Sequence, residues 1–116
     1  MQHPRRTGFE AHDLARDAAV LVLGIVRQVP PAARALTDQT VRAVTSVPLN
    51  LAEGAGRCGR DRLHHWRIAY GSAREARTAL ELLVASGSVD AEAAATADAL
   101  LDRVAAMAWR LVHPAR

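Results

Sequence analysis

The sequence predicts an all-α protein: an antiparallel up-down-up-down four-helix bundle whose second helix is kinked or broken near Pro48. Half of the residues are hydrophobic but few are aromatic, so the core must be aliphatic and rich in alanine, the residue with the highest helix propensity. Runs of β-branched and aromatic residues bounded by hairpin turns are missing. Proline and glycine gather at a few sites, which divides the chain into long helical segments.

The first helix is predicted from Phe9 to about Gln28. Its apolar face follows alternating four- and three-residue steps at Leu14, Ala18, Leu21 and Ile25. The stretch Val20–Val26 is apolar on more sides than one bundle core can cover, and this surplus predicts self-association. Pro30 ends the helix because the residue before a proline avoids the α region.

The second helix is predicted from about Pro31 and meets Pro48. A proline inside a helix costs about 3 kcal/mol or more, because it removes a hydrogen bond and clashes with the preceding turn. Two outcomes are open: the helix kinks at Pro48, or it stops and a short helix begins over 48–53. Ser46 is expected to cap that segment or to satisfy a freed carbonyl.

The third helix, about Arg60 to Ser86, follows a glycine-rich connection. Gly54 and Gly56 are expected to supply the left-handed or extended backbone that closes the second helix. The third helix has a stripe of large apolar residues and a narrower stripe of small ones, which would let a neighbouring helix approach closely. Gly87 is expected to end it.

The fourth helix is predicted from about Ala91 to His113, with Ser88 or Asp90 as its cap. Short connections between four helices give the antiparallel arrangement. At 116 residues the chain is expected to form one domain over 1–116, with residues 1–8 disordered.

The cysteine content suggests a cytoplasmic location, whereas the net charge does not identify a binding partner. The net charge is +3 and every basic residue is arginine, which alone is a weak indication of a nucleic-acid partner. Cys58 is the single cysteine, so an internal disulfide is excluded and a cytoplasmic location is expected. The apolar run Ala18–Val26 covers about half of the ~20 residues that a membrane span needs. The acids Glu10, Asp13 and Asp17 before it argue against a signal peptide.

Two motifs give the chain a resemblance to a known family. The segment Ser46-Val-Pro-Leu-Asn-Leu-Ala-Glu-Gly54, followed by Arg57, resembles the S-[IV]-P-x-N-[IL]-A-E-G-x-x-R signature of the four helix bundle protein family, also called the 23S rRNA intervening-sequence protein family. The segment Arg67-Ile-Ala-Tyr-Gly-Ser72 with Glu75 resembles its second motif, and 9–18 is loosely like its start. The motif positions expected to serve the structure are Ser46, Pro48, Asn50, Glu53, Gly54, Gly71, Ser72 and Glu75.

The resemblance implies a left-handed bundle that assembles into a homo-oligomer, commonly a pentameric barrel. It also implies an association with nucleic acid, because members are encoded within insertions of large-subunit ribosomal RNA genes. A related protein, the accessory factor of diversity-generating retroelements, binds nucleic acid and a reverse transcriptase. The partners it implies are therefore further copies of the chain, RNA or DNA, and a protein such as a reverse transcriptase, with no membrane.

The sequence departs from the family pattern at a few positions. Trp66 stands where a leucine or phenylalanine is usual, and Ala76 and Arg77 stand where relatives carry a leucine and an acid. These differences are expected to change the surface of the bundle and not its fold.

The segment Gly54-Ala-Gly-Arg-Cys-Gly59 also fits the G-x-G-x-x-G phosphate-binding pattern. That pattern requires a preceding strand, and the segment before it is predicted to be helical. The glycines are therefore interpreted as a connection between helices. A helix N-terminus attracts anions, so a nucleic-acid phosphate near Gly59 and Arg60 is the alternative interpretation of this segment.

No catalytic residue, cofactor or metal ligand is predicted. His64 and His65 diverge by about 100° on a helix and cannot hold one metal together. Ser46 and Ser72 have no histidine and acid at motif spacing. Cys58 is interpreted as a loop residue, and the protein is expected not to be an enzyme.

Asn50 and Glu53 lie one turn apart beside Pro48 and have two interpretations. They could bond freed backbone groups or helix 3 and so brace the corner, with Glu53 pairing with Arg57, or they could make a functional contact. Bracing is the favoured interpretation.

The feature that points to function is a set of arginines in and before helix 3: Arg57, Arg60, Arg62, Arg67, Arg74 and Arg77. Arg60, Arg67 and Arg74 recur at seven-residue spacing and hence on one face. Two interpretations stay open: ion pairs with the acids of helix 4, or contacts with phosphates that weaken with salt. Without aromatics interleaved among the arginines for base stacking, such binding would be sequence-poor. The alternative function is an oligomeric protein–protein scaffold without nucleic-acid contact.

Overall fold

The structure, a computed structural model, describes residues 5–115 and shows an all-α four-helix bundle. Each helix packs against the next in the chain, and the fourth packs against the first, which closes the bundle. The described residues contain no strand, and the predicted fold class is confirmed. The helices are α1 (Glu10–Val26), α2 (Arg34–Ala55), α3 (Gly59–Ala85) and α4 (Ala91–Val112), and a short 3-10 turn, Pro31–Ala33, leads into α2.

The core is aliphatic, as the composition predicts, and has two neighbouring clusters of buried residues. One lies where the end of α1 meets the start of α4, and its larger members are Val22, Val44, Leu80, Leu83 and Leu101. The other lies at the opposite end of the bundle, and its larger members are Leu14, Val47, Leu51 and Val104. Full burial of a valine or leucine side chain contributes about 1.5–3 kcal/mol, so these positions dominate the stability of the fold.

The helix α1 does not bury its whole apolar surface. Leu21 was expected on the inward stripe, but it is 40% exposed, beside Val20 at 57% and Leu23 at 38%. The bundle covers only the side of α1 that carries Leu14, Ala18 and Val22.

The helix α2 runs through Pro48 without interruption, so no separate short helix forms over 48–53. Of the two roles expected for Ser46, capping is wrong because Ser46 lies within α2, and its described hydroxyl contacts are with the Ser72 and Asn50 side chains rather than with a carbonyl. Instead, the Asn50 amide donates to the Ser46 carbonyl at 2.9 Å, and the Ser46 hydroxyl contacts the Ser72 hydroxyl of α3 at 2.9 Å. The polar side chains around the proline thus join two helices.

The predicted backbone roles of Gly54 and Gly56 are also wrong. Gly54 is a buried residue within α2, and Gly56 has φ −84°, outside the left-handed region. A Cβ added to Gly54 would lie 2.5 Å from Cδ1 of Trp66, so the glycine serves the close approach of α3. The left-handed residue of this corner is Gly59, with φ 60°, at the first position of α3.

The α3–α4 connection follows the prediction. Gly87 has φ 78°, its N–H bonds to the Val84 carbonyl, and the Ser88 N–H bonds to the Leu83 carbonyl, which is the Schellman pattern. Asp90, one of the two candidate caps, accepts from the Ala93 N–H at 3.3 Å.

The expected disorder of residues 1–8 falls partly outside the described residues, at 1–4. Within the described part, Thr7 bonds to Asp13 and the carbonyl of Arg5 accepts from Arg16 at 2.9 Å. None of the described helices combines the length and the apolar character that a membrane crossing requires.

Candidate nucleic-acid interface

The six candidate arginines divide into two groups of three. Arg57, Arg62 and Arg77 are engaged in contacts within the chain. Among the described residues, no ion pair involves Arg60, Arg67 or Arg74, and all three are exposed.

Arg57 is held between two carboxylates at the α2–α3 corner. Its guanidinium lies 2.6 Å from Asp61 and 3.5 Å from Glu53. The hydrogen bond with Asp61 raises the pKa of Arg57 and lowers the pKa of Asp61. Glu53 therefore takes the pairing considered for it in the sequence, at an exposed position where solvent screens the attraction.

Arg62 turns back onto the end of α2. Its Nε donates to the Gly54 carbonyl at 3.1 Å and a terminal nitrogen donates to the Ala55 carbonyl at 3.2 Å. Its guanidinium also lies 5.2 Å from the centre of the Trp66 ring. Arg62 thus adds bonds to the last carbonyls of α2, of which that of Gly54 also accepts from the Arg57 N–H at 3.0 Å, a role that the sequence did not reveal.

Arg77 joins α3 to α4. Its Nε donates to Asp98 and a terminal nitrogen donates to Asp102, both at 3.0 Å. The hydrogen bond with Asp98 is the main cause that raises the pKa of Arg77. For this arginine the structure shows the interhelical ion pairs that were one of the two interpretations.

The three remaining arginines follow one edge of α3. Seven residues are two helical turns less about 20°, so Arg60, Arg67 and Arg74 lie nearly in line. Arg74 lies over the ring of Tyr70, 5.8 Å from its centre. This edge presents uncompensated positive charge to solvent.

A groove between α3 and α4 meets this edge at Arg74 and has two halves. The half of about 770 Å³ toward the start of α4 has a mixed charge, because Glu75, Glu81 and Asp98 line it with Arg74 and Arg77. The other half, of about 450 Å³, is richer in arginine and aromatic groups. It is lined by Tyr70, Arg74, Arg77, Asp102, Ala105, Ala106, Trp109 and Arg110.

The motif serines and Asn50 form one hydrogen-bonded chain across α2 and α3. The Asn50 amide donates to the Ser46 hydroxyl at 3.0 Å, the Ser46 hydroxyl contacts that of Ser72, and the Asn50 carbonyl oxygen lies 3.1 Å from Nδ1 of His65. Because that oxygen is an acceptor, His65 holds a proton on Nδ1. Sequence reasoning missed His65, whose partner lies on another helix.

The other motif residues have separate surroundings. Glu75 accepts a hydrogen bond from the side-chain amide of Gln39 and so links α3 to α2. Gly71 is exposed, and nothing in the described chain lies within 4 Å of a Cβ built there.

Two further features of the sequence lie at the corner between α2 and α3. The G-x-G-x-x-G segment joins two helices rather than a strand and a helix. Cys58 is exposed just before α3. No group of three histidine, cysteine or carboxylate side chains within residues 5–115 could hold a metal ion.

The model of a protein family, the 23S rRNA-intervening sequence protein, matches residues 9–110 of this chain. Among solved structures, the chain is similar to a protein of unknown function from the S23 ribosomal protein family of Bacteroides thetaiotaomicron VPI-5482, with a TM-score of 0.78 at 18% identity. That alignment covers 88% of this chain and 97% of the other, and at this identity it supports the fold alone. No curated protein matches the chain.

Proposed function

This chain belongs to the 23S rRNA-intervening sequence protein family, and on that premise we propose that it is a non-enzymatic, oligomeric protein of the cytoplasm that binds the backbone of RNA or DNA. The observation that carries the proposal is the edge of α3 with Arg60, Arg67 and Arg74, which have no ion pair among the described residues. The resemblance to this family, with its expected association with nucleic acid, agrees with such a surface.

Within the described part of the chain, only three of the six candidate arginines are free to form the proposed interface. Arg57, Arg62 and Arg77 would have to give up bonds to carboxylates or carbonyls before they could bind a phosphate. Arg60, Arg67 and Arg74 have no ion pair within residues 5–115 to break before they bind a phosphate. Each phosphate that they neutralise releases a condensed counterion, which favours binding. A nucleic-acid enzyme such as a reverse transcriptase is a further partner that the family resemblance suggests for the same surface.

The exposed side of α1 supports the oligomeric part of the proposal. Val20, Leu21 and Leu23 are all more than a third exposed on one helix, which is the kind of apolar cluster that subunit contacts bury. A homo-oligomer, the pentamer in the resemblance, would repeat the arginine edge once in every subunit and so multiply its contacts with a long polyanion.

The same apolar cluster favours a second candidate function. A scaffold that assembles through α1 and recruits a protein, without touching nucleic acid, would need the oligomer but not the arginine edge. The two functions therefore differ in the effect of removing the arginines.

Fluorescence anisotropy with labelled RNA and DNA oligonucleotides at low salt tests the proposal. The variant Arg60→Ala/Arg67→Ala/Arg74→Ala is expected to bind about tenfold or more weakly than the parent, because its edge of α3 can no longer neutralise phosphates.

The matched control removes three other exposed arginines, in Arg27→Ala/Arg34→Ala/Arg42→Ala, and changes the net charge equally. Equal weakening in both variants would mean that net charge alone governs binding. A parent protein that assembles but binds neither oligonucleotide would leave the scaffold as the function.

A further inference from the structure

The arginine-rich half of the α3–α4 groove contains an exposed tryptophan. Trp109 of α4 is 47% exposed and lines this half together with Tyr70 and Arg74 of α3 and Arg110. A single exposed apolar side chain is ordinary on a protein surface, but an aromatic pair flanked by arginines is a specific combination. Sequence reasoning found no interleaved aromatics, although Tyr70 lies between Arg67 and Arg74, and it could not place Trp109 there because Trp109 comes from the neighbouring helix.

Both aromatic rings are held in place by neighbours. The His113 ring stacks on Trp109 with centres 4.4 Å apart and planes 24° apart, and Nδ1 of His113 lies 2.9 Å from the Trp109 carbonyl. Arg74 lies over the Tyr70 ring. A ring that is already ordered loses less conformational entropy when a flat ligand stacks on it.

The charges in this half of the groove suit a polyanion. Arg74 and Arg110 have no ion pair among the described residues, and Asp102, the acid that lines this half, is bonded to Arg77. The other half is lined by Glu75, Glu81 and Asp98 against Arg74 and Arg77, so it is the less positive of the two. Trp109 and Arg110 therefore lie in the half where a nucleic-acid backbone would be attracted, and Tyr70 lines both halves.

We propose that the groove half formed by Tyr70, Arg74, Trp109 and Arg110 is a base-stacking site, which makes single-stranded RNA or DNA the preferred ligand over a duplex. Aromatic side chains stack on any base, but only when the base is free of its neighbours in a helix. The bases of a duplex are paired and stacked on each other, so a duplex can contact this groove only through its phosphates. The inference rests on the proposed function, since the arginines bring the strand to the groove.

Binding of a thymidine oligonucleotide of about twelve nucleotides, within the usual site size, and of a duplex of the same length tests the inference. The parent is expected to prefer the single strand. Trp109→Ala is expected to weaken single-strand binding about tenfold, with duplex binding and the salt dependence unchanged, because the ring contributes stacking and no charge.

Two further variants and one spectroscopic measurement complete the test. Trp109→Phe is expected to restore binding, whereas Trp109→Leu, which keeps apolar bulk without a π face, is expected to resemble Trp109→Ala. Stacking should also quench tryptophan emission in the parent, and this quenching should largely disappear in Trp109→Phe, which retains Trp66.

The outcomes separate the two proposals. Trp109→Leu and Trp109→Ala could bind the single strand as tightly as the parent while the triple arginine variant does not. In that case the proposal of a stacking site is wrong and the proposed arginine interface is supported. If the parent binds neither oligonucleotide at low salt, both are wrong.

Discussion

At the scale of single residues, Asp13 shows how a carboxylate is kept ionised inside this bundle. It is 3% exposed, and burial alone would raise its pKa. Hydrogen bonds from the hydroxyl of Thr7 at 2.8 Å and from its N–H at 3.0 Å, with His12 and Arg16 nearby, more than offset burial and lower the pKa to about 2. Asp13 thereby ties the chain before α1 to the helix.

This pKa sets a pH dependence of stability. The pKa of Asp13 is about 2 in the folded protein against 3.8 ordinarily, so its stabilising contribution is present above about pH 4 and is lost as the pH falls toward 2. Urea unfolding between pH 7 and pH 2 is expected to show this loss in the parent and a smaller loss in Asp13→Asn, which is already less stable at pH 7. The exposed Asp38→Asn variant serves as control, and an Asp13→Asn profile identical to the parent's would contradict the assignment.

At the scale of elements, the packing of α2 against α3 determines the geometry of the arginine edge. Ser46 and Asn50 bond across to Ser72 and His65, and Nε1 of Trp66 donates to the Leu51 carbonyl at 3.2 Å. Gly54 allows the Trp66 ring to lie against α2. Because these interactions fix the rotation of α3, they also determine which of its arginines reach a partner.

A double-mutant cycle tests the packing at Gly54. Gly54→Ala is expected to lower the free energy of unfolding by about 1–3 kcal/mol, because the added methyl group overlaps the Trp66 ring and this outweighs the gain in helix propensity. In the Trp66→Leu background the same change is expected to cost less, which gives a coupling energy of about 1 kcal/mol.

Gly71→Ala provides the matched control for this cycle. Its added methyl group meets no atom within 4 Å in the described chain, so the change is expected to stabilise α3 by about 0.5–1 kcal/mol. Thermal or urea unfolding measures all four variants. Additive effects at Gly54 and Trp66 would show that the ring is not the obstacle.

The helices were predictable because their signals are local, whereas the partners of side chains were not. Periodicity and a terminal glycine suffice to predict helix 3 over about Arg60 to Ser86, and the structure shows Gly59–Ala85. The sequence could not decide whether the second helix continues through Pro48. The energetic cost of the proline is local, whereas the packing that can outweigh this cost involves other helices. The role of Gly54 was predicted wrongly for the same reason. A glycine is required there because the Trp66 ring of the next helix packs against it, and this contact is not visible in the local sequence.

The arginines illustrate the same limit. Seven-residue spacing predicts Arg60, Arg67 and Arg74 on one face, but the spacing could not show that Arg77 reaches Asp98 or that Arg62 reaches the carbonyl of Gly54. Those hydrogen bonds depend on the register and rotation of packed helices.

At the scale of the whole molecule, two surfaces remain without a partner within the described chain: the apolar side of α1 and the arginine edge of α3 with its groove. The first suits subunit contacts, and the second suits a polyanion. An assembly would bury one and repeat the other, so oligomerisation and binding are expected to reinforce each other.

Light scattering tests the assembly. The protein is expected to have a mass that is a multiple of the 12.4 kDa chain, five-fold if it forms the pentamer that the family resemblance implies. Val20→Glu is expected to lower the mass, because it places a charge within the apolar cluster of α1, whereas Ala99→Glu, at an exposed position of α4, is not. A parent mass equal to one chain would contradict the oligomer.

The salt dependence of RNA binding is the measurement that bears most closely on the arginine edge. A plot of the logarithm of the binding constant against the logarithm of salt concentration is expected to be linear for the parent. In Arg60→Ala/Arg67→Ala/Arg74→Ala the slope should shrink by about 0.7–0.9 for each phosphate that is no longer neutralised. The control Arg27→Ala/Arg34→Ala/Arg42→Ala should keep the slope of the parent. A slope that is unchanged in the first variant would show that these three arginines do not touch phosphate.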